Sequence, residues 1–259
     1  MTNYKKIATE ARKTVLTMVY KAQSSHVGSN LSSIDILTVL FDKMDVKRDK
    51  FIASKGWVAA SVYYFLAQRG IIPKEDLERY WKPGEEKYIG LVEPHGVFGL
   101  EFASGSMGFG LPAGVGFALA KKMDKDSGKV HVLMSDGEMQ IGTTWESILI
   151  AKQHNLSNLT VWVDNNRLQA MGPTKDIVNI EPLDERVKSF GWAVERIDGH
   201  NFEAIEKAFE NTSNSSPNMI ICDTIKGKGW KRAENNNLYH YKMLSEKEYK
   251  EASEELAKQ

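Results

Sequence analysis

The chain has little of several features that mark other classes of protein. It has one cysteine, Cys222, among 259 residues, which excludes an internal disulfide framework and fits a reducing cytoplasm. We expect no membrane span, because no apolar run approaches the length of about 20 residues that a span needs, and we expect no signal peptide. The 34 basic residues equal the 34 acidic ones. This balance argues against nucleic acid or an anionic membrane as the main partner, because both attract basic surfaces.

Apolar runs of strand length alternate with segments of helical periodicity along the whole chain, without internal repeats or long linkers. Strands are predicted near 51–53, 130–134, 159–163, 192–196 and 219–224. Helices are predicted near 5–23, 34–44, 57–69, 108–122, 142–154, 183–190 and 201–211, and after Ser245. Ser32 and Ser33 look like a helix start, and Ser245 with Glu248 forms a capping box. This alternation predicts an α/β fold with a doubly wound, mostly parallel sheet flanked by helices.

The most informative feature is a pair of polar segments that follow two predicted strands. Asp136-Gly137-Glu138 comes after the run 130–134, and Asp164-Asn165-Asn166 ends the run 159–163. If these strands are parallel neighbours, Asp136 and Asn166 lie at the same edge of the sheet and can share one divalent cation. Mg²⁺ held by so few side chains usually completes its shell with phosphate oxygens. The alternative interpretation is that these segments are two unrelated turns, since Asp-Gly and Asn-Asn are common turn dipeptides.

The spacing of Asp-Gly and Asn resembles the thiamine diphosphate signature, and other segments resemble the N-terminal domain of transketolase in the family's order. They are Ser25 to Gly28, Ser54-Lys55-Gly56, the loop around His95, the glycine-rich turn Gly105 to Leu111, Asp136 to Glu138 with Trp145-Glu146, Asp164 to Asn166, Asp198 to His200, and Thr224 to Trp230. The resemblance therefore implies the thiamine diphosphate-binding fold, with residues 1–259 forming a single diphosphate-binding domain.

The resemblance also implies roles for individual residues. The implied metal ligands for Mg²⁺ (or Ca²⁺ or Mn²⁺) are Asp136, Asn166 and the carbonyl of Leu168. The implied cofactor contacts are Gly105, Met107, Asp136, Gly137, Glu138, Asn166 and, behind them, Asp164. The implied catalytic residues are His26, His95 and His240. Some of these segments have a structural alternative. The glycine turn can be a tightly packed helix start, and His95 can be a surface histidine. Lys226 and Lys228, which can contact a phosphate or the partner chain, can instead be solvated lysines. His200 is interpreted as structural support for a turn.

Several positions depart from the family's pattern around the expected active site. Trp57 stands where transketolases place a histidine, and Ile141 where many have a glutamate of a carboxylate relay. Phe109 replaces a glutamine, and Tyr241 replaces the glycine after the last histidine. An indole cannot perform the acid–base or phosphate-binding work of an imidazole, but it can fill space or stack on a substrate. These changes predict retained thiamine chemistry on an altered sugar.

The resemblance implies a ketol transfer that this chain cannot perform alone. The pyrimidine-binding and C-terminal domains of a complete transketolase are expected on a separately encoded partner chain, in an α2β2 assembly with sugar or sugar-phosphate substrates. The chain is either the small subunit of a split transketolase or a piece cut at a domain boundary, and the capped last helix favours the first of these. Two alternatives stay open: an acyloin-type condensation with a 2-keto acid donor, and a non-catalytic scaffold paralogue.

Overall fold

The computed structural model describes residues 2–94 and 98–259. Its sheet has five strands in the spatial order β1-β2-β3-β5-β4, and all neighbouring strands pair in parallel. The strands are β1 (Lys50–Ala53), β2 (Val130–Ser135), β3 (Leu159–Asn165), β4 (Ala193–Asp198) and β5 (Asn218–Asp223). The predicted parallel α/β sheet is confirmed.

Helices cover both faces of this sheet. The helices of four or more residues with α geometry in the described ranges are α1 (Tyr4–Lys21), α2 (Val27–Lys43), α3 (Ala59–Gln68), α4 (Gly110–Met123), α5 (Gly142–Gln153), α6 (Thr174–Ile177), α7 (Leu183–Ser189), α8 (Phe202–Glu210) and α9 (Glu246–Ala257). Short 3₁₀ turns occupy Gly56–Val58, Lys74–Arg79, Asp136–Gln140 and Asn237–His240. None of the helices in the described part of the chain has the length and apolar character to cross a bilayer.

The strand β3 shows why two separate cores form. Every residue of β3 is buried, as expected for a central parallel strand covered on both faces. Successive side chains of a strand point to opposite faces, so Val161 and Val163 join the core under α4, α5 and α7, while Trp162 joins the core under α1, α2, α3, α8 and α9. The lone thiol, Cys222, is buried in the second of these cores.

The predicted start of α2 is wrong. The helix begins at Val27 rather than at Ser32, and His26 precedes it with a left-handed backbone (φ 69°). Ser32 and Ser33 are fully buried inside the helix, and both hydroxyls donate to the Asp164 carboxylate, at 2.6 and 2.7 Å. A serine pair in an apolar stretch resembles a cap in the sequence, but here the hydroxyls satisfy a buried charge on another element.

The parallel strands bring their polar ends to one edge of the sheet. Ser135 at the end of β2 pairs in register with Asp164 near the end of β3. Asp136 and Asn166 each follow directly after one of these strands, so both lie beyond the carboxyl ends, where open α/β sheets place their ligands.

Candidate active site

A cavity of about 270 Å³ lies at this carboxyl edge. It collects segments that are far apart in the sequence. Its lining comprises Ser29, Ser54 to Trp57, Gly105, Met107, Ser135 to Glu138, Asn166, Leu168 to Met171, His240 and Tyr241. Of the residues predicted as cofactor contacts or metal ligands, all except Asp164 line this cavity.

Asp136 is a buried carboxylate at the base of the cavity, with an exposed fraction of 1%. Its Oδ1 accepts from the Gly137 amide at 2.8 Å, and its Oδ2 accepts from the Arg167 amide at 2.6 Å and from the Thr174 hydroxyl at 3.1 Å. Burial and the neighbouring Asp164 charge raise its pKa to about 6. A buried carboxylate next to another carboxylate is an environment that favours a bound cation.

Two further oxygens at the cavity come from the loop after β3. The Asn166 Oδ1 accepts from the Leu168 amide at 3.0 Å, which holds the amide group over the loop. The Leu168 carbonyl accepts from the Lys226 ammonium at 3.0 Å. Lys226 is almost completely buried, and burial together with the Lys55 charge lowers its pKa to about 8. Residues that carry one carboxylate, one amide and one backbone carbonyl therefore line the same cavity, and a buried ammonium group contacts the carbonyl.

This donor set fits a hard divalent cation that shares its shell with a phosphate. The described ranges contain no group of three His, Cys, Asp or Glu side chains that could hold a metal by themselves. Mg²⁺ is usually bound by one or two carboxylates together with phosphate oxygens and water. The Gln169 Nε2, on a side chain that lines the cavity, is buried without a hydrogen-bond partner. An orphaned donor of this kind is expected where a ligand acceptor binds. The residues present thus fit a metal-bound diphosphate.

A buried ion pair with several hydrogen-bond partners lies next to the cavity. Lys55 and Asp164 form an ion pair with side-chain exposures of 6% and 0%. Asp164 also accepts from Ser32, Ser33 and Thr224. Burial opposes ionisation of Asp164, but the Lys55 ammonium and these hydrogen bonds hold its pKa below the usual value. Asp164 does not line the cavity, and its neighbours hold it in its ionised form.

Glu138 joins three segments around the cavity through hydrogen bonds to its carboxylate. Its carboxylate accepts from Ser54, from the Gly108 amide at 3.1 Å and from the Ser135 amide at 2.7 Å, and its exposed fraction is 1%. Burial raises its pKa. Because protein groups occupy both oxygens, the geometry favours a positioning role over a direct cofactor contact.

The glycine-rich turn approaches the other cavity segments very closely. A Cβ at Gly137 would lie 2.9 Å from Met107 Cε, whereas a Cβ at Gly105 would have only Leu91 within 4 Å, at 3.8 Å. Met107 lines the cavity and is 42% exposed. Met107 and Gln169 pack against Gly137 where a larger residue would clash, whereas the space beside Gly105 is open.

The predicted catalytic histidines lie in different settings. His240 lines the cavity, and its Nδ1 lies 2.8 Å from the Lys226 ammonium. His26 is buried behind Trp57, with the two rings stacked 4.2 Å apart, and its Nε2 has no partner. Burial and the Lys226 charge lower the pKa of His26 to about 4 and that of His240 to about 3, so both are neutral at pH 7. His95 lies outside the described residues.

Sequence reasoning missed two features of this site. Lys55 stands out in the sequence only as part of a motif, although its ammonium carries the buried charge pair with Asp164. The second feature is the position of His26, which does not line the cavity because Trp57 lies there and stacks on its ring. The motif Ser54-Lys55-Gly56 is the only available signal for Lys55, since nothing in a sequence shows which carboxylate a lysine will meet.

Substitution of Gly110 tests the close packing of the turn. An alanine Cβ at Gly110 would lie 2.5 Å from the Ser54 Cα, so either the turn or the Ser54 segment must move. We expect Gly110→Ala to lower the free energy of unfolding by about 1–3 kcal/mol, the usual cost of overpacking. Gly142, also the first residue of a helix, has open space at its Cβ, so Gly142→Ala is the matched control. Equal urea midpoints for the two variants would contradict this packing.

The fold and the cavity together define a class of protein. It is an α/β protein whose parallel sheet presents, at its carboxyl edge, a site suited to a metal-bound diphosphate. The family described as the transketolase thiamine diphosphate binding domain matches residues 3–259, and the chain belongs to this family. The resemblance, the fold class and the thiamine diphosphate-dependent transketolase chemistry predicted from the sequence are therefore confirmed at the level of the family.

Individual relatives show how far the similarity extends. The chain is 35% identical over 260 residues to an apulose-4-phosphate transketolase subunit of Phocaeicola vulgatus, covering 95% of this chain and 91% of that protein. It is 34% identical over 259 residues to a 6-deoxy-6-sulfo-D-fructose transketolase subunit of a Clostridium species, covering 96% and 94%. A transketolase structure from Campylobacter jejuni superposes with a TM-score of 0.89 at 28% identity, covering 99% of this chain and 43% of that chain.

Proposed function

We propose that the chain is the cofactor-anchoring component of a two-component transketolase, which transfers a two-carbon ketol unit from a ketose to an aldose. The observation that carries the proposal is the convergence of Asp136, Asn166 and the Leu168 carbonyl on one cavity with a buried lysine beside them. Asp136, Asn166 and Leu168 would hold a divalent cation, and the cation would bind the diphosphate of thiamine diphosphate. Once bound, the cofactor supplies the nucleophilic carbon that carries the two-carbon unit.

The remaining residues of the cavity have roles that follow from their contacts. Lys226 places a positive charge next to the proposed metal ligand Leu168, where it can neutralise diphosphate oxygens. Gln169 offers its free amide donor to the same anion. His240 lines the cavity and its Nδ1 faces the Lys226 ammonium, so its Nε2–H is left to donate a hydrogen bond to a sugar hydroxyl. Catalysis by this chain then consists of anchoring and orientation.

The mouth of the cavity supports a requirement for a partner chain. Three large apolar or aromatic side chains that line the cavity are exposed, namely Met107 (42%), Met171 (87%) and Tyr241 (63%). Apolar side chains grouped at a site entrance favour coverage by another protein. Two relatives are named as subunits of transketolases. We propose that a partner subunit with the pyrimidine-binding and C-terminal domains covers this mouth, and that the isolated chain has no turnover.

A second set of exposed apolar side chains supports the proposed α2β2 assembly. Leu149 (55%) and Ile150 (48%) project from α5, and Ile177 (39%) and Val178 (55%) lie at the end of α6. None of these four residues lines the cavity, so a second protomer can contact them while the partner subunit covers the site.

Trp57 supports an altered sugar specificity. Its indole lines the cavity and screens the imidazole of His26. The two relatives are named for apulose 4-phosphate and for a deoxysulfo sugar, and we propose that this chain also serves a sugar outside the common pentose phosphates. Trp57→His should change the ratio of kcat/KM between a common pentose phosphate donor and the native donor by about tenfold, because a polar ring replaces an apolar wall. Trp57→Phe, which keeps the wall, is the control, and an unchanged ratio in Trp57→His contradicts the assignment.

Product analysis of the reconstituted complex tests the proposed function. The complex is supplied with thiamine diphosphate, Mg²⁺, an aldose acceptor and either a ketose or pyruvate as donor. Ketose-dependent conversion of the acceptor into a ketose two carbons longer, with release of an aldose two carbons shorter than the donor, is the expected result. Extension with pyruvate and release of CO₂ would instead establish the acyloin-type condensation, and a complex without metal-dependent cofactor binding would establish a scaffold.

A further inference from the structure

A buried ion pair lies beneath the turn that carries Lys226. Arg12 of α1 and Asp35 of α2 form a bidentate pair with distances of 2.9 and 2.6 Å, and their side chains are 7% and 4% exposed. None of the three residues Arg12, Asp35 and His200 lines the cavity. The pair is nevertheless connected to the site through the segment from Ile225 to Lys228. Arg12 contacts this segment directly, and Asp35 contacts it through His200.

His200 connects Asp35 to the start of this segment. The Ile225 amide donates to His200 Nε2 at 2.8 Å, and His200 Nδ1 lies 2.7 Å from the Asp35 carboxylate. Because a backbone amide can only donate, Nε2 must be the unprotonated nitrogen, and Nδ1 must carry the hydrogen that it donates to Asp35. Asp35 thus fixes the tautomer of His200, and His200 fixes the position of the Ile225 amide.

The other side of the segment is held by the same ion pair. The Arg12 Nε donates to the Lys228 carbonyl at 3.2 Å, and the Gly227 amide donates to the Gly28 carbonyl at 3.0 Å. Lys226 therefore lies between two residues whose backbones are held by Arg12, Asp35 and His200. Its side chain crosses Gly28, where a Cβ would lie 3.2 Å from the lysine Cγ, and its ammonium then reaches Leu168 and His240.

We propose that Asp35 and His200 are positioning residues that fix the Lys226 ammonium where it can bind the cofactor diphosphate. This inference rests on the proposed function, because it assigns a target to Lys226. Gly227 in the segment has φ +80° and Gly229 just after it has φ +98°, a backbone conformation that other residues rarely adopt and that the contacts of the segment maintain. Loss of His200 therefore removes the hydrogen bond that holds Ile225, the residue directly before Lys226.

A double-mutant cycle on thiamine diphosphate binding tests this inference. The variants are His200→Ala, Lys226→Met and the two combined, with binding measured by calorimetry on the complex with its partner subunit. We expect each single variant to weaken binding by about tenfold or more. Lys226→Met loses the hydrogen bond between a charged group and the diphosphate, and His200→Ala loses the support of that charged group. The double variant should bind no more weakly than Lys226→Met, since residues that act through one contact are not additive.

Three controls separate positioning from general stability. His200→Gln can still donate to Asp35 and accept from the Ile225 amide, so it should restore binding to within about threefold of the wild type. His154→Ala, on an exposed histidine at the end of α5, should have no effect. If His200→Ala does not fold, His200→Asn serves in its place, because its shorter side chain cannot contact both Asp35 and Ile225.

Two results overturn the inference. One is full additivity of His200→Ala and Lys226→Met, and the other is wild-type affinity in folded His200→Ala. Failure of the proposed function has a different signature, since cofactor binding would then also survive Asp136→Ala. Loss of binding in Asp136→Ala with normal binding in His200→Ala would reject the positioning role alone.

Discussion

Asp136→Ala is expected to abolish turnover and to weaken the binding of thiamine diphosphate to the assembled complex by more than about 100-fold. Loss of residues that only orient a metal ligand already costs about 10- to 100-fold in metal affinity or activity, and Asp136 is the one carboxylate among the proposed ligands. Without it, the Asn166 amide and the Leu168 carbonyl offer no charge to a divalent cation, and the diphosphate must then enter a buried site without full neutralisation.

Asp136→Asn and Asp176→Ala are the controls for this experiment. The asparagine keeps the shape of the side chain and removes only its charge, so it should also lose binding. Asp176 is exposed on α6, and its replacement should leave calorimetric affinity and initial rates unchanged. Folded Asp136→Ala with wild-type cofactor affinity contradicts the role of Asp136 as a ligand.

Lys55→Met is expected to reduce the free energy of unfolding by about 3–5 kcal/mol. Removing one member of a buried ion pair leaves the other charge uncompensated in the interior, and a loss of about 3–5 kcal/mol is the usual result. The Asp164 carboxylate would keep its hydrogen bonds from Ser32, Ser33 and Thr224 but would lose the only ammonium that contacts it in the described structure. Urea denaturation with wild type and variant side by side measures the difference.

Two comparisons show whether the effect comes from the unpaired charge. Lys55→Met combined with Asp164→Asn removes both charges and should recover a large part of the lost stability. Lys50→Met breaks a more exposed pair with Glu101, in which the lysine side chain is 36% exposed, so it should cost at most about 1 kcal/mol. A loss for Lys55→Met as small as that for Lys50→Met would show that the pair contributes little.

The sequence predicts well those parts of the fold that depend on local pattern. The run from Leu159 to Val163 is continuous and apolar, which marks a buried parallel strand, and the structure extends it by only two residues. Ser245 with Glu248 makes both hydrogen bonds of a capping box. The placement of Asp136 and Asn166 at one edge followed from the order of strands and helices, because parallel neighbours end on the same side of a sheet.

Features that depend on contacts between distant segments were not predictable in this way. Ser32 and Ser33 have the local chemistry of a helix cap, and only the Asp164 carboxylate, more than 130 positions further on, explains their place inside α2. His26 lies in a polar stretch that suggests an accessible histidine, yet Trp57 stacks on it. Glu138 follows Asp136 in a metal motif, but Ser54, Gly108 and Ser135 occupy its carboxylate.

In the proposed site, a divalent cation held by Asp136, Asn166 and Leu168 anchors the diphosphate of the cofactor. Calorimetric titration of the wild-type complex with thiamine diphosphate, first in EDTA and then after addition of Mg²⁺, tests it most directly. We expect no measurable uptake in EDTA and full stoichiometric binding once Mg²⁺ is restored. Binding of equal affinity in EDTA and in Mg²⁺ would contradict it.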